Sequence, residues 1–453
     1  MRLKLLTLAL ALAALPLTGR SEDLLDAYRE ARANDPVLSQ SDATRLSTAE
    51  GVTQARALLL PQINGSYGLS QSSGSSSGGG GTGTSTGAGG SAGGDVGHIR
   101  DRSISATLNQ SVVDLSKWAN VSAAKSQSRS QDETYQAALQ ALYVRTTTAY
   151  FGVLTSADQL TFAKANEEAL RQAYEQADQR FKVGLSAITD VYQAKSEYEQ
   201  AKAQTIQAES TLNDAKEALT QITGKPTGDL KKLREDLPMD PPSPADPNAW
   251  VQEALKNNPS ILAQQYNVES AEHTINSARA GHLPTLNAQV TRGKDTQWFE
   301  HASAGNISGN GSYGTTVGLT LTVPIFAGGA TQSQVRQSIY NRDSAQDALE
   351  IQRRQVTRDT LNFYRTSVAG ISQVEAAKAG VDSGQKALEA TRAGFDVGTQ
   401  TMLNVLTAIQ TLTQAQSTYS QSRHNFVLNK LQLKQTAGTV DMKDIEEINT
   451  LLQ

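Results

Sequence analysis

The feature that most constrains this chain is an internal duplication. Asn34-Asp35-Pro36 matches Asn257-Asn258-Pro259, Ala55-Arg56-Ala57 matches Ala278-Arg279-Ala280, and Pro61 matches Pro284, all at a constant offset of 223. Further along, Phe181, Val183 and Gly184 match Phe395, Val397 and Gly398 at an offset of 214. Two copies of one unit of roughly 210 residues therefore lie in tandem. The first copy carries a low-complexity insert in which residues 74–94 contain eleven glycines. Such a segment cannot bury enough apolar surface to offset its ordering entropy, so it reads as an exposed loop. A phosphate-binding glycine loop is excluded, because no Lys-Ser/Thr follows and no strand-to-helix context encloses it. The second copy has a shorter counterpart at about Gly293 to Gly314, with Trp298 and Phe299.

Each copy reads helix, strand, loop, strand, long helix, turn, helix. Ile63, Tyr67 and Leu69 alternate with polar residues, as do Ile104, Ala106 and Leu108, Leu286, Ala288 and Val290, and Val317, Leu319, Leu321 and Val323. Period-two alternation places each apolar set on one face of a strand. The long helices follow the hairpins. No proline interrupts residues 116–181, and apolar or small residues recur there at three-to-four spacing through Tyr135, Leu139, Leu142, Ala149, Val153 and Leu160. A helix of about 65 residues rises ~100 Å, far beyond what a globular domain uses.

The reading gives a first repeat at 22–224, with strands at about 62–71 and 101–113, a long helix at about 116–181 and a return helix at about 187–222. A connector at 225–247 holds six of the twelve prolines. The second repeat, 248–437, has strands at about 285–292 and 314–325, a long helix at about 328–395 and a return helix at about 402–437, and residues 438–453 form a C-terminal segment. Residues 1–21 read as a secretory signal peptide: Arg2 and Lys4, an apolar run from Leu5 to Leu15, then small Gly19 and Ser21 before Glu22.

Charges nearly cancel at a net of −4, which excludes nucleic-acid binding driven by bulk charge. There is no cysteine, so disulfides, thiolate metal sites, cysteine nucleophiles and a lipidated N-terminal cysteine are excluded together. Four strands of about ten residues match the length needed to cross an outer membrane at a tilt. Four strands cannot close a barrel, and lipid does not tolerate an open sheet edge. The chain must share its barrel with copies of itself. Three protomers give twelve strands around an aqueous lumen, whereas eight strands from two would enclose an interior filled by side chains.

The duplicated plan, Ala278-Arg279-Ala280-Gly281-His282-Leu283-Pro284, Val323-Pro324-Ile325-Phe326 before Gly328-Gly329, the paired Phe-x-Val-Gly turns and the stretch from Phe181 to Val191 resemble the TolC family of outer-membrane channels. The missing cysteine points to the TolC-like branch. The resemblance implies an α+β membrane protein: a homotrimer with a twelve-stranded β-barrel, four strands per protomer, a periplasmic α-helical barrel and a mixed equatorial domain. It implies an exit duct in a Gram-negative outer membrane, serving efflux or type I secretion. Its partners would be outer-membrane lipid, a periplasmic adaptor (membrane fusion) protein and an inner-membrane pump of the ABC or RND type.

By the same resemblance, Val183, Gly184, Leu185, Ser186, Val397, Gly398 and Thr399 are the adaptor contacts, at turns where glycine permits the reversal. The periplasmic gate falls on Thr189, Asp190, Phe395, Gln400, Asn404 and Thr407. Here the chain departs from the family: a phenyl ring, an amide and two neutral side chains stand where an aromatic hydroxyl, a basic partner and two ring aspartates are usual. Asp190 is then expected to accept a neutral hydrogen bond from Gln400, weaker than a charged link. The five histidines are dispersed, and carboxylate pairs such as Glu167-Glu168 lie in polar helical stretches, so no catalytic, metal or cofactor site is expected. The competing reading is a trimeric surface adhesin or stalk anchored by a shared barrel.

Overall fold

A computed structural model describes residues 22–73, 98–299 and 308–453. The expected signal peptide and glycine-rich segment lie outside the described residues.

The first copy opens with two helices, α1 (Leu24–Asn34) and α2 (Pro36–Ala57), where the sequence suggested one. Pro36 cannot donate a backbone hydrogen bond and forces Asp35 into extended backbone, which ends α1. Asp35 turns this break into a cap. Its carboxylate accepts from Leu38 N at 2.8 Å and pairs with Arg145, and it is buried. Strands β1 (Gln62–Ser73) and β2 (His98–Val113) follow, then α3 (Leu115–Lys182) and α4 (Ile188–Thr223). The second copy repeats the order: α5 (Pro247–Asn257), α6 (Pro259–Ala280), β3 (Thr285–Phe299), β4 (Ser308–Asn310), β5 (Gly314–Thr322), α7 (Ala330–Asp396) and α8 (Met402–Thr436). Asn258 occupies the place of Asp35 and caps α6 through Ser260 N at 2.9 Å. Helix α9 (Met442–Thr450) closes the chain behind a reciprocal Asp441–Asp444 capping box.

Compact units cut across the duplication. One unit takes residues up to 45, 130–265 and 348–453, and the other takes 46–129 and 266–347.

The second unit holds the sheet. β1 pairs antiparallel with β2, β2 with β3, and both β4 and β5 lie along the outer edge of β3, so the sheet is four strands wide. Three strands run longer than about ten residues: β1 has 12, β2 has 16 and β3 has 15. β3 continues through Gly293, where the sequence suggested a loop. β5 stops at Thr322 rather than 325, since Pro324 has no N–H to give the ladder. In register, Ile63, Leu108, Val290 and Val317 form one row across the apolar face, and the next residue along each strand turns a polar side chain to the opposite face. That apolar face is open to the surroundings: Ile63, Leu69, Val317, Leu319 and Leu321 are all exposed.

Two extensive apolar clusters, beside smaller ones around Trp250 and Ile261, hold the first unit. In the larger, Leu24 and Tyr28 of α1, Leu142, Tyr150 and Phe151 of α3, Leu219 of α4, Phe426 and Leu431 of α8 and Ile445 of α9 meet. Tyr28 stacks on Tyr143 with centroids 4.7 Å apart. The Tyr150 hydroxyl lies 3.1 Å from Glu22 O and 2.9 Å from Lys231 O, tying the start of the chain and the connector to α3. The second cluster collects Ala173 and Ala177 of α3, Ala194 and Ala201 of α4, Leu388 of α7, and Val405, Leu406 and Ile409 of α8. Small side chains at helical spacing let the helices approach closely, which explains the alanine-rich composition.

Candidate functional site at the paired helical turns

The first unit contains both helix reversals, and they are built alike. At the end of α3, Leu185 N donates to Arg180 O at 2.8 Å and Gly184 N to Phe181 O at 2.9 Å. At the end of α7, Thr399 N donates to Gly394 O at 2.8 Å and Gly398 N to Phe395 O at 3.1 Å. Both are six-to-one and five-to-two pairs of a Schellman stop, with glycine in the left-handed position at φ +79° and +82°. A Cβ at either glycine would meet nothing within 4 Å. Gly184→Ala and Gly398→Ala are therefore expected to cost about 1 kcal/mol each from backbone strain alone. Equal melting temperatures of variant and wild-type protein would contradict this.

The turns present apolar side chains outward. Val183 is 68% exposed, Leu185 73% and Val397 75%, with Phe181 and Ile188 also exposed.

The gate positions are not linked to each other as the sequence suggested. Asp190, in the first turn of α4, accepts from the Ser186 hydroxyl at 2.8 Å. Gln400 Oε1 instead accepts from Asn404 Nδ2 at 2.7 Å, and Thr401 Oγ1 caps α8 by accepting from Asn404 N at 3.3 Å. Ser186 and Asn404 are local partners four residues away in each case, reachable without bringing the two hairpins together. Thr189 is exposed at the start of α4, and the Thr407 hydroxyl turns back to Leu403 O at 2.9 Å.

Phe395 has a partner that sequence reasoning missed. The Arg180 guanidinium sits 4.4 Å from the centre of its ring, and Arg180 Nη1 lies 3.5 Å from Phe395 O. One cation thus bridges the end of α3 to the end of α7. The signal was present in the duplication: Arg180 and Gly394 occupy equivalent places before the two phenylalanines, so only the first turn carries a charge there. Behind Phe395 a cleft of about 180 Å³ is lined by Gln176, Arg392, Asp396, Val405 and Ile409 among others, with Gln176 Nε2 3.4 Å from Asp396 Oδ1.

Comparison with known proteins decides what these hairpins belong to. The sequence model described as "Outer membrane efflux protein" matches residues 27–225 and 250–439. The chain belongs to the outer membrane efflux protein family. Within this family it is 34% identical to outer membrane protein TolC of Escherichia coli K12, over 98% of this chain and 88% of that protein. It is 28% identical to the alkaline protease secretion protein AprF of Pseudomonas aeruginosa, over 93% and 86% of the respective chains. The Campylobacter jejuni outer membrane channel CmeC shares the fold, with a TM-score of 0.75 at 19% identity over 95% of this chain and 90% of its own. The two matched segments fall on the two copies of the duplication. As an efflux protein of this family the chain is an outer-membrane channel, and it contributes an open four-stranded sheet.

Proposed function

We propose that three copies of this chain form the exit duct of a tripartite efflux or type I secretion system, conducting substrates passively and opening at the paired helical turns. The observation that carries this reading is the family match across both copies, joined to a sheet whose two edges and apolar face are left for lipid and neighbouring copies. The exposed Val183, Leu185 and Val397 suit contact with the hairpin of a periplasmic adaptor, which would connect the duct to an inner-membrane pump. Planar-bilayer recording of the purified protein tests the reading. A trimer with small, voltage-sensitive conductance steps is expected, and a trimer that never conducts would favour an anchored stalk.

The aperture is proposed to lie on α8, where Asn404 and Thr407 are neutral. Neutral amide and hydroxyl groups do not concentrate multivalent cations as carboxylates do. Millimolar multivalent cations on the periplasmic side are therefore expected to leave the wild-type current nearly unchanged. In an Asn404→Asp/Thr407→Asp channel the blocking concentration should fall on the order of tenfold, as six carboxylates converge in the trimer. Equal block of both channels would move the aperture elsewhere, with exposed Asp396 the next acid to test.

A further inference from the structure

The sheet segregates its charges as well as its polarity. On the apolar face, the rows nearest the helices carry no charge and, apart from Gln110 in the row of Ala288, are apolar or small: Leu286 beside Leu321, Ala288 beside Leu319, then Ile63, Leu108, Val290 and Val317. Farther along the strands the same face turns basic. Arg292 stands in the row of Ala106, Lys294 in the row of Tyr67 and Ile104, and Arg102 in the row of Leu69. The acids of this region, Asp101 and Asp295, lie on the opposite face because each is one residue out of phase. Among the described residues none of the three cations is in an ion pair. They lean on aromatic rings instead: Arg102 is 5.7 Å from the centre of Tyr67, and Arg292 and Lys294 are 6.0 and 5.9 Å from that of Tyr313.

The height of this strip identifies its surroundings. At the helix end the band is bounded by exposed Trp118 and Phe326, and at the far end by exposed Tyr67 and Tyr313. From Val323 to Tyr313 is ten residues, about 34 Å of strand, or roughly 26 Å of membrane depth at a tilt of ~40°. That equals the apolar band of an outer-membrane barrel, with aromatic girdles at both water interfaces. Lys294 and Arg102 then stand at or just beyond the outer interface, and Arg292, one row below, can extend its head upward along its apolar stem. Cations that have no ion pair among the described residues and face lipid at head-group depth fit anionic groups of the lipid itself.

We infer that Arg102, Arg292 and Lys294 bind the phosphate groups of a phosphorylated glycolipid of the outer leaflet. Three cations on two adjacent strands, about 4.8 Å apart with rows about 7 Å apart, form a patch wider than one phosphate and suited to a head group bearing two. Tyr67 and Tyr313 supply flat apolar-polar surfaces for its sugar rings. The inference rests on the outer-membrane placement of the sheet and is independent of gating, since lipid is read by mass and gating by current.

Native mass spectrometry of the detergent-purified trimer, titrated with bisphosphorylated lipid A, tests it. Wild-type protein is expected to retain the lipid. The triple variant Arg102→Gln/Arg292→Gln/Lys294→Gln should bind about tenfold or more weakly, the scale of losing several charge-assisted contacts. Arg102→Lys/Arg292→Lys keeps the charge and should retain most of the binding, and dephosphorylated lipid A should bind wild type no better than the lipid binds the triple variant. Equal binding by wild type and the triple variant overturns the site, as does equal retention of the dephosphorylated lipid. Phosphatidylglycerol binding as tightly as lipid A, or displacement by millimolar inorganic phosphate, overturns the glycolipid assignment. Migration as a heat-resistant trimer confirms that each variant is assembled.

Discussion

Replacing Arg180 by alanine is expected to raise the open probability of the resting channel on the order of a hundredfold. The guanidinium over Phe395 joins the end of α3 to the end of α7. The carboxylate link beside it, Gln176 to Asp396, is a long 3.4 Å bond from a neutral donor, and Asp190 and Gln400 are each occupied by a local partner. A half-buried cation–π contact contributes about 1 kcal/mol. Three protomers that open together would lose about 3 kcal/mol, which is roughly two powers of ten. Phe395→Leu should have a similar effect, and the double variant should add little, since both changes remove one contact. Phe395→Tyr keeps the ring and should leave the channel closed. Single-channel recording gives the open probability, and uptake of bulky antibiotics gives an independent readout. An Arg180→Ala channel as quiet as wild type would place the latch elsewhere.

Acidification is expected to weaken the helical unit through His424. Its ring is buried against Phe151, with centroids 5.3 Å apart. Thr155 Oγ1 donates to Phe151 O at 2.8 Å, so at 2.7 Å from His424 Nδ1 it can only accept, and the neutral ring carries its proton on Nδ1. Burial pushes His424 down from 6.5 to about 4, with Arg423 adding to the depression and Asp158 opposing it. Between those values the unfolded chain holds a proton that the folded chain does not, so stability falls as pH drops through this window and is intact above it. The full span corresponds to on the order of 3 kcal/mol at pH 4. His424→Asn retains a donor for Thr155 and has nothing to protonate, so its acid loss should be smaller by that amount. Urea denaturation at pH 7 and pH 4.5 measures the difference; identical acid losses in both proteins would remove His424 from the account.

Much of the architecture was legible because it is written twice. Asn34-Asp35-Pro36 and Asn257-Asn258-Pro259 mark a cap and break repeated in both copies, and alternation at Leu286 to Val290 and Val317 to Leu321 marks strands that lie side by side. Local rules missed what depends on neighbours. β3 runs past Gly293 because β2 supplies a full ladder opposite it, and β5 ends early because Pro324 cannot join one. At the turns, the glycines and exposed apolar residues follow from each copy read alone, whereas Arg180 stands out only when the two copies are set side by side. Its partner is 215 positions away, and the equivalent place in the second copy is a glycine. The Ser186–Asp190 bond, four residues long, was within reach of inspection but stood outside the comparison between copies.

The interleaving of the two compact units sets a timetable for assembly. Leu108 meets Val290 across the sheet, about 180 residues later in the chain, and that central seam is flanked by long helices on both sides. A β1–β2 hairpin alone is marginal in water and bears an apolar face. It therefore waits, aggregation-prone, until nearly two thirds of the polypeptide has emerged on the far side of the inner membrane. High contact order makes the closing step slow. A factor that shields the early hairpin during export should raise the yield of trimer without touching the finished channel.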